Sequence, residues 1–101
     1  MLNKEFYLNL LKQKDFNSII KQLKIDYILL LKKLLDKKNI QYENIDYLNY
    51  YILLCQKNYT ELSSNLIITK NLFTYGNVEN IDKIDDLITI YSYILKKYNL
   101  Y

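Results

Sequence analysis

The stretch KDFNSIIKQLKIDYILLLKKLLDKKNI, Lys14–Ile40, sets Ile20, Leu23, Tyr27, Leu30, Leu31 and Leu34 at three- and four-residue steps. That spacing lines one face of an α-helix. Lys21, Lys24, Lys32 and Asp36 fall among the polar positions between them. The helix is expected to end near Lys37–Asn39, where Lys37 and Lys38 suit the negative end of its dipole.

The same periodicity extends in both directions. Upstream, a short helix over Asn3–Gln13 would turn Phe6 and Leu10 inward, with Tyr7 and Leu11 beside them. Lys14–Asn17 marks the break before the long helix. Downstream, a loop at Asn39–Asn44 precedes a third helix, capped by Asn44, with the stripe Ile45, Leu48, Ile52 and Cys55. Asn58 and Glu61 have capping-box spacing for a fourth helix, which uses Leu62, Leu66, Thr69 and Phe73 and stops at Gly76, the one glycine. In the last helix Ile81, Ile84, Ile88, Tyr91, Leu95 and Tyr98 share a face. Asp82, Asp85 and Asp86 stand at its start, Lys96 and Lys97 at its end. The expected fold is all-α, a compact bundle of four main helices plus a short N-terminal one. Residues 1–101 form one domain, since no Gly/Ser/Pro linker or solenoid repeat interrupts them. Short loops predict mostly antiparallel neighbours.

Composition narrows the chemistry. The 101 residues include no histidine, arginine, proline or alanine, but 12 tyrosines. Abundant Asn, Lys, Ile, Leu and Tyr is the usage of an AT-rich genome, which accounts for the missing arginine more readily than for the missing histidine. Without histidine there is no His-based metal motif, Ser-His-Asp triad or Cys-His pair. A single glycine excludes glycine-rich phosphate loops. Cys55 has no disulfide partner within the chain and reads as a small buried hydrophobe. Asp82, Asp85 and Asp86 could approach a divalent cation, but a helix start is sufficient reason for their acidity. The expectation is a protein that is not an enzyme, with no catalytic residue, metal or cofactor.

No uncharged run approaches a membrane span: the longest, Tyr47–Gln56, is far too short. The N-terminus has Lys4 and Glu5 and no secretory h-region. The expected location is cytoplasmic, without membrane contact. Net charge is +3, unevenly distributed. Residues 12–38 hold eight lysines against Asp15, Asp26 and Asp36, while residues 39–95 hold three lysines against seven acids. Such a chain presents either oppositely charged solvated helix faces or a docking surface.

Two sets of residues are candidates for contact. Tyr42, Tyr47, Tyr50, Tyr51 and Tyr59 crowd into 18 residues around the third helix. Because Ile45, Leu48, Ile52 and Cys55 already serve the core, Tyr47, Tyr51 and Leu54 form a second stripe, and Tyr50 points elsewhere with Leu53. A tyrosine has an apolar ring and a polar tip, a combination common at interfaces. Tyr42, Tyr47, Tyr50, Tyr51 and Leu54 are therefore the expected protein interface, the alternative being wholly internal packing. Lys21, Lys24, Lys32, Lys33, Lys37 and Lys38 form the second set, suited to an acidic partner or to nucleic-acid phosphates.

The segment from about Lys14 to Tyr98 resembles a HEPN-type helical domain of prokaryotes. The likeness lies in the long helix with its Lys-Leu-Leu segment and lysine-rich end, the middle pair of helices, and the terminal helix ending Tyr-Ile-Leu-Lys-Lys at 93–97. RNase members of that family use an arginine followed several residues later by a histidine, and this chain has neither. The resemblance implies an inactive scaffold of a kind that dimerises through its helices and occurs in toxin–antitoxin and phage-defence systems. The functional expectation is a docking module from an AT-rich bacterium or phage, of antitoxin, immunity or defence-inhibitor type. Its partner would be a protein, with a homodimer among the options. The alternative is a small nucleic-acid-associated subunit using the lysine-rich helix.

Overall fold

The computed structural model describes residues 4–75 and 81–100. Among these described residues five helices build an all-α bundle: α1 (Lys4–Lys12), α2 (Phe16–Lys37), α3 (Leu48–Asn58), α4 (Ser63–Tyr75) and α5 (Ile81–Lys97). A 3₁₀ turn, Thr60–Leu62, leads into α4.

The long helix α2 is the central element, and this changes its predicted face. Ile19, Leu23, Tyr27, Leu30, Leu31, Leu34 and Leu35 are wholly buried, and Ile28 nearly so. Ile20, expected in the core, is only half-buried, and Ile19 takes the inward position. A helix with neighbours on several sides buries more than one stripe, so a single-stripe reading finds only part of its core. Asp15 caps α2 by accepting from the Ser18 backbone N–H and the Ser18 hydroxyl.

Consecutive helices are mostly antiparallel, as expected, with one exception. α1 folds back antiparallel on α2, with Tyr7 opposite Asp26. α3 instead runs parallel to α2. After α2 ends, the chain retraces it: the Tyr42 hydroxyl donates to Asp36, and Lys32 donates to Asn44 at 2.6 Å. Leu48 then starts α3 near Ile25 and Ile28. Ten extended residues reach much farther than the roughly 15 Å that ten helical residues occupy, so the connector reverses the direction twice. α4 returns antiparallel, bringing Phe73 edge-on to Tyr27 at 5.5 Å. α5 is again parallel to α2, because Tyr27 donates to the Leu87 carbonyl and Lys37 to that of Tyr98.

The helix ends agree with the sequence expectation at α2 and differ from it at α3. α2 and α5 stop at Asn39 and Asn99, both left-handed with φ of 56° and 54°. The next residue's N–H reaches back, Ile40 to Leu35 and Leu100 to Leu95, each at 3.0 Å. These are Schellman closures, and the apolar Ile40 and Leu100 that follow pack on the core. Asn44 does not cap α3: the cap position is Tyr47, which makes no side-chain capping bond. Asn58 does not open a fourth helix either. It is the last residue of α3, and its amide donates to the Leu54 carbonyl. Both asparagines are spent on tertiary or preceding-turn partners that a local pattern does not reveal. The expected stop at Gly76 lies outside the described residues. In α5, Leu87 and Ile94 are wholly buried with Ile84 and Tyr91, while Ile88, Leu95 and Tyr98 sit at the flank.

Candidate functional site

Tyr51 lies at the centre of the tyrosine cluster, and it faces inward. It is wholly buried, with Tyr42 and Tyr50 edge-on to its ring at 5.8 and 5.1 Å. Its hydroxyl accepts from the Ile45 N–H at 3.0 Å and lies within donating distance of the Ile45 and Glu43 carbonyls. The Tyr50 hydroxyl accepts from the Glu43 N–H at 2.9 Å. Two tyrosines of α3 thus hold the segment 43–45, which has no helix of its own to satisfy its backbone. Tyr42 is half-buried, its hydroxyl pushed above the ordinary tyrosine value first by burial and then by Asp36. Leu54 is half-buried against the core. Of the five interface candidates, Tyr47 is the one turned to solvent, at 59% exposure.

The six lysines also divide. Lys37 donates to the Tyr98 carbonyl at 2.7 Å, Lys33 approaches the Leu100 carbonyl at 3.5 Å, and Lys38 donates to the Asn58 carbonyl while lying 4.0 Å over the Tyr59 ring. Lys32 is held by Asn44 and stands 5.5 Å from the Tyr51 ring. Because α2, α3 and α5 are parallel, their C-terminal ends gather at one end of the bundle, and three of these lysines answer the carbonyls there. Lys21 and Lys24, by contrast, are exposed and make no such bond among the described residues.

Those two lysines and Tyr47 meet at one place. A groove of about 340 Å³ lies between the first half of α2, the start of α3 and the end of α4. Ile25, Ile28, Leu48 and Phe73 give it an apolar lining, Lys21 and Lys24 one rim, and Asp46 and Tyr47 the other. Ile25, Leu29 and Ile45 are exposed at 43%, 44% and 37%, so apolar surface lies open along α2 and the segment beside it. No family model, curated protein or solved structure matches this chain. The reading of the groove therefore stands on its chemistry.

The Cys55 thiol is buried, donates to the Leu31 carbonyl, and is pushed by burial from 9.0 to about 12, far from a reactive thiolate. Among the described residues no group of three or more Cys, Asp or Glu is placed to hold a metal ion. No helix among them is long and apolar enough to cross a membrane.

Sequence reading missed one buried charge. Asp26 is 4% exposed, accepting from the Tyr7 hydroxyl at 2.6 Å and from the Gln22 amide at 3.2 Å. It falls between apolar positions of α2, a place that a solvated carboxylate would not occupy, and that was the available signal. The tyrosine count has a related explanation. The hydroxyls of Tyr7, Tyr27 and Tyr59 each tie a second element to α2 or α2 to its neighbour, reaching Asp26, Leu87 and Leu34 respectively.

Proposed function

We propose that this chain is a non-enzymatic docking module that presents the Tyr47 groove to a protein partner. The observation that carries this is the convergence of Tyr47, from the tyrosine set, with Lys21 and Lys24, from the lysine set, around one apolar floor. An exposed aromatic residue beside apolar surface, with unused cations at the edge, matches the composition of protein interfaces. Tyr51 and Tyr50 serve as positioning residues, since they fix the segment that ends in Tyr47. An antitoxin, an immunity protein or an inhibitor of a defence enzyme would work by such docking, and a cytoplasmic setting belongs to the same proposal. The HEPN-like pattern fits a scaffold without catalytic residues.

The nucleic-acid alternative has less support. Lys32, Lys33, Lys37 and Lys38 already hold oxygen atoms of this chain, which leaves Lys21 and Lys24 as the pair of the six without such a bond among the described residues.

The test starts from the native chain and a Tyr47→Ala/Lys24→Glu variant used side by side to retrieve a partner. The partner is then purified and titrated calorimetrically against both. Docking at the groove requires binding to the native chain and at least about tenfold weaker binding to the variant. Equal affinities would sink the proposal.

A further inference from the structure

Helix α1 is tied to the bundle by little. Among its described side chains Tyr7 is the one that is buried, Leu10 and Leu11 are half-buried, and Phe6 and Leu8 stand 41% and 55% exposed. Its one extensive neighbour among the described residues is α2. Nine residues are too few to stay helical alone in water, so α1 is a helix only while it is docked. Docking and helix formation are one event.

The anchor of this docking works against itself. Asp26 is 4% exposed, and its two polar partners, the Tyr7 hydroxyl and the Gln22 amide, are neutral. A carboxylate buried without a cation is dehydrated at a cost that such bonds only partly offset. Unwinding α1 returns water to Asp26, so the charge that receives the docked helix also favours its release. The chain beyond is built to confine that unwinding. α1 ends in a Schellman closure, with the Lys14 N–H on the Leu11 carbonyl at 3.1 Å and the Asp15 N–H on that of Leu10 at 3.0 Å. Its left-handed residue is Lys14, φ 56°, where the closures of α2 and α5 use asparagine. Lysine has no short polar side chain to ease that conformation, so this closure is the strained one of these three. Unwinding relieves it, while Asp15 caps α2 through Ser18 and keeps the next helix whole.

We propose that α1 is a strap that opens by unwinding while α2 to α5 stay folded, with Tyr7 and Asp26 as its latch and Lys14 as its hinge. Running antiparallel from that latch, Leu10 and Leu11 come level with Leu23 and Gln22 of α2. Opening therefore bares a carboxylate and the apolar flank beside it. Neither Asp26 nor Leu23 lines the groove, so the strap stands or falls apart from the docking reading.

Amide hydrogen exchange of the full chain reads each helix separately. In the native chain α1 should be protected, yet exchange at least about tenfold faster than α3 and α5. Low guanidinium should hardly change the α1 rate, because unwinding one short helix exposes little surface. Tyr7→Phe should quicken α1 about tenfold, as the latch bond is lost. Lys14→Gly, which relieves the left-handed residue, should slow it several-fold. The decisive variant lies elsewhere. Tyr59→Phe cuts a bond to the Leu34 carbonyl of α2, and should quicken α3 while α1 keeps its native rate, since α1 opens without the rest. An α1 with no protection, an α1 as slow as α3 and α5, or a Tyr59→Phe variant that quickens every helix alike overturns the proposal. So does a Tyr7→Phe or Lys14→Gly variant whose α1 exchanges at the native rate.

Discussion

The Tyr7 hydroxyl donates to the Asp26 carboxylate at 2.6 Å, and both residues are buried. This bond joins α1 to the central helix, its one extensive neighbour among the described residues. With Tyr7→Phe, Asp26 keeps the Gln22 amide but loses its hydroxyl donor, which should cost about 1–3 kcal/mol. Replacing both partners, Tyr7→Phe with Asp26→Leu, should cost less than the sum of the two single changes, because no orphaned carboxylate remains. Chemical denaturation of the four proteins in the cycle checks this, and additive losses would show that the bond matters little.

Alkaline pH should unfold this protein through its buried acids. Burial pushes Cys55 from 9.0 to about 12. It also raises Tyr27 and Tyr59 above the ordinary 10.0, the Tyr59 shift being helped by Cys55 and Glu61. A raised pKa means the folded chain holds its proton more tightly than the unfolded chain does. The resulting stability is complete below the unfolded values and is lost as pH rises through the folded ones. Helical circular dichroism should therefore hold to about pH 9, then fall as tyrosinate absorbance appears. Cys55→Ala should remove the earliest part of that decline. Ionisation of all tyrosines with the helices intact would contradict the burial described here.

The idle and the engaged lysines should behave differently on removal. Lys37→Ala and Lys38→Ala strip a cation from a helix C-terminal end and should each cost about 0.3–1 kcal/mol, less at high salt. Lys24→Ala should leave thermal stability unchanged, since Lys24 makes no such bond among the described residues. Equal effects at Lys24 and Lys38 would remove the distinction on which the choice of groove rests.

The all-α class was legible because Leu23, Tyr27, Leu30, Leu31 and Leu34 repeat at helical spacing and do go to the core. The parallel run of α3 on α2 was not. It depends on Lys32 reaching Asn44 and Tyr42 reaching Asp36, contacts that carry the connector back along α2 and have no local sequence signature. The candidate site was legible in pieces. Tyr47, Lys21 and Lys24 could each be named, but their meeting depends on that same parallel start of α3. Tyr51 looked like Tyr47 in sequence. It differs because residues 43–45 fold over it and use its hydroxyl for their backbone.

That difference gives the sharpest prediction for the site. Tyr51→Phe keeps the ring, and with it the edge contacts to Tyr42 and Tyr50, but removes the bond to the Ile45 N–H. Stability should fall by about 1–2 kcal/mol, as for a lost internal hydrogen bond. The change should register mainly as faster amide hydrogen exchange over residues 43–47, with α3 itself protected. Tyr47→Ala, whose side chain is largely in solvent, should do the reverse: bind a partner worse while leaving exchange and stability as they were. If Tyr47→Ala loosens the segment as much as Tyr51→Phe, then Tyr47 is part of the fold and the surface it presents is not a site.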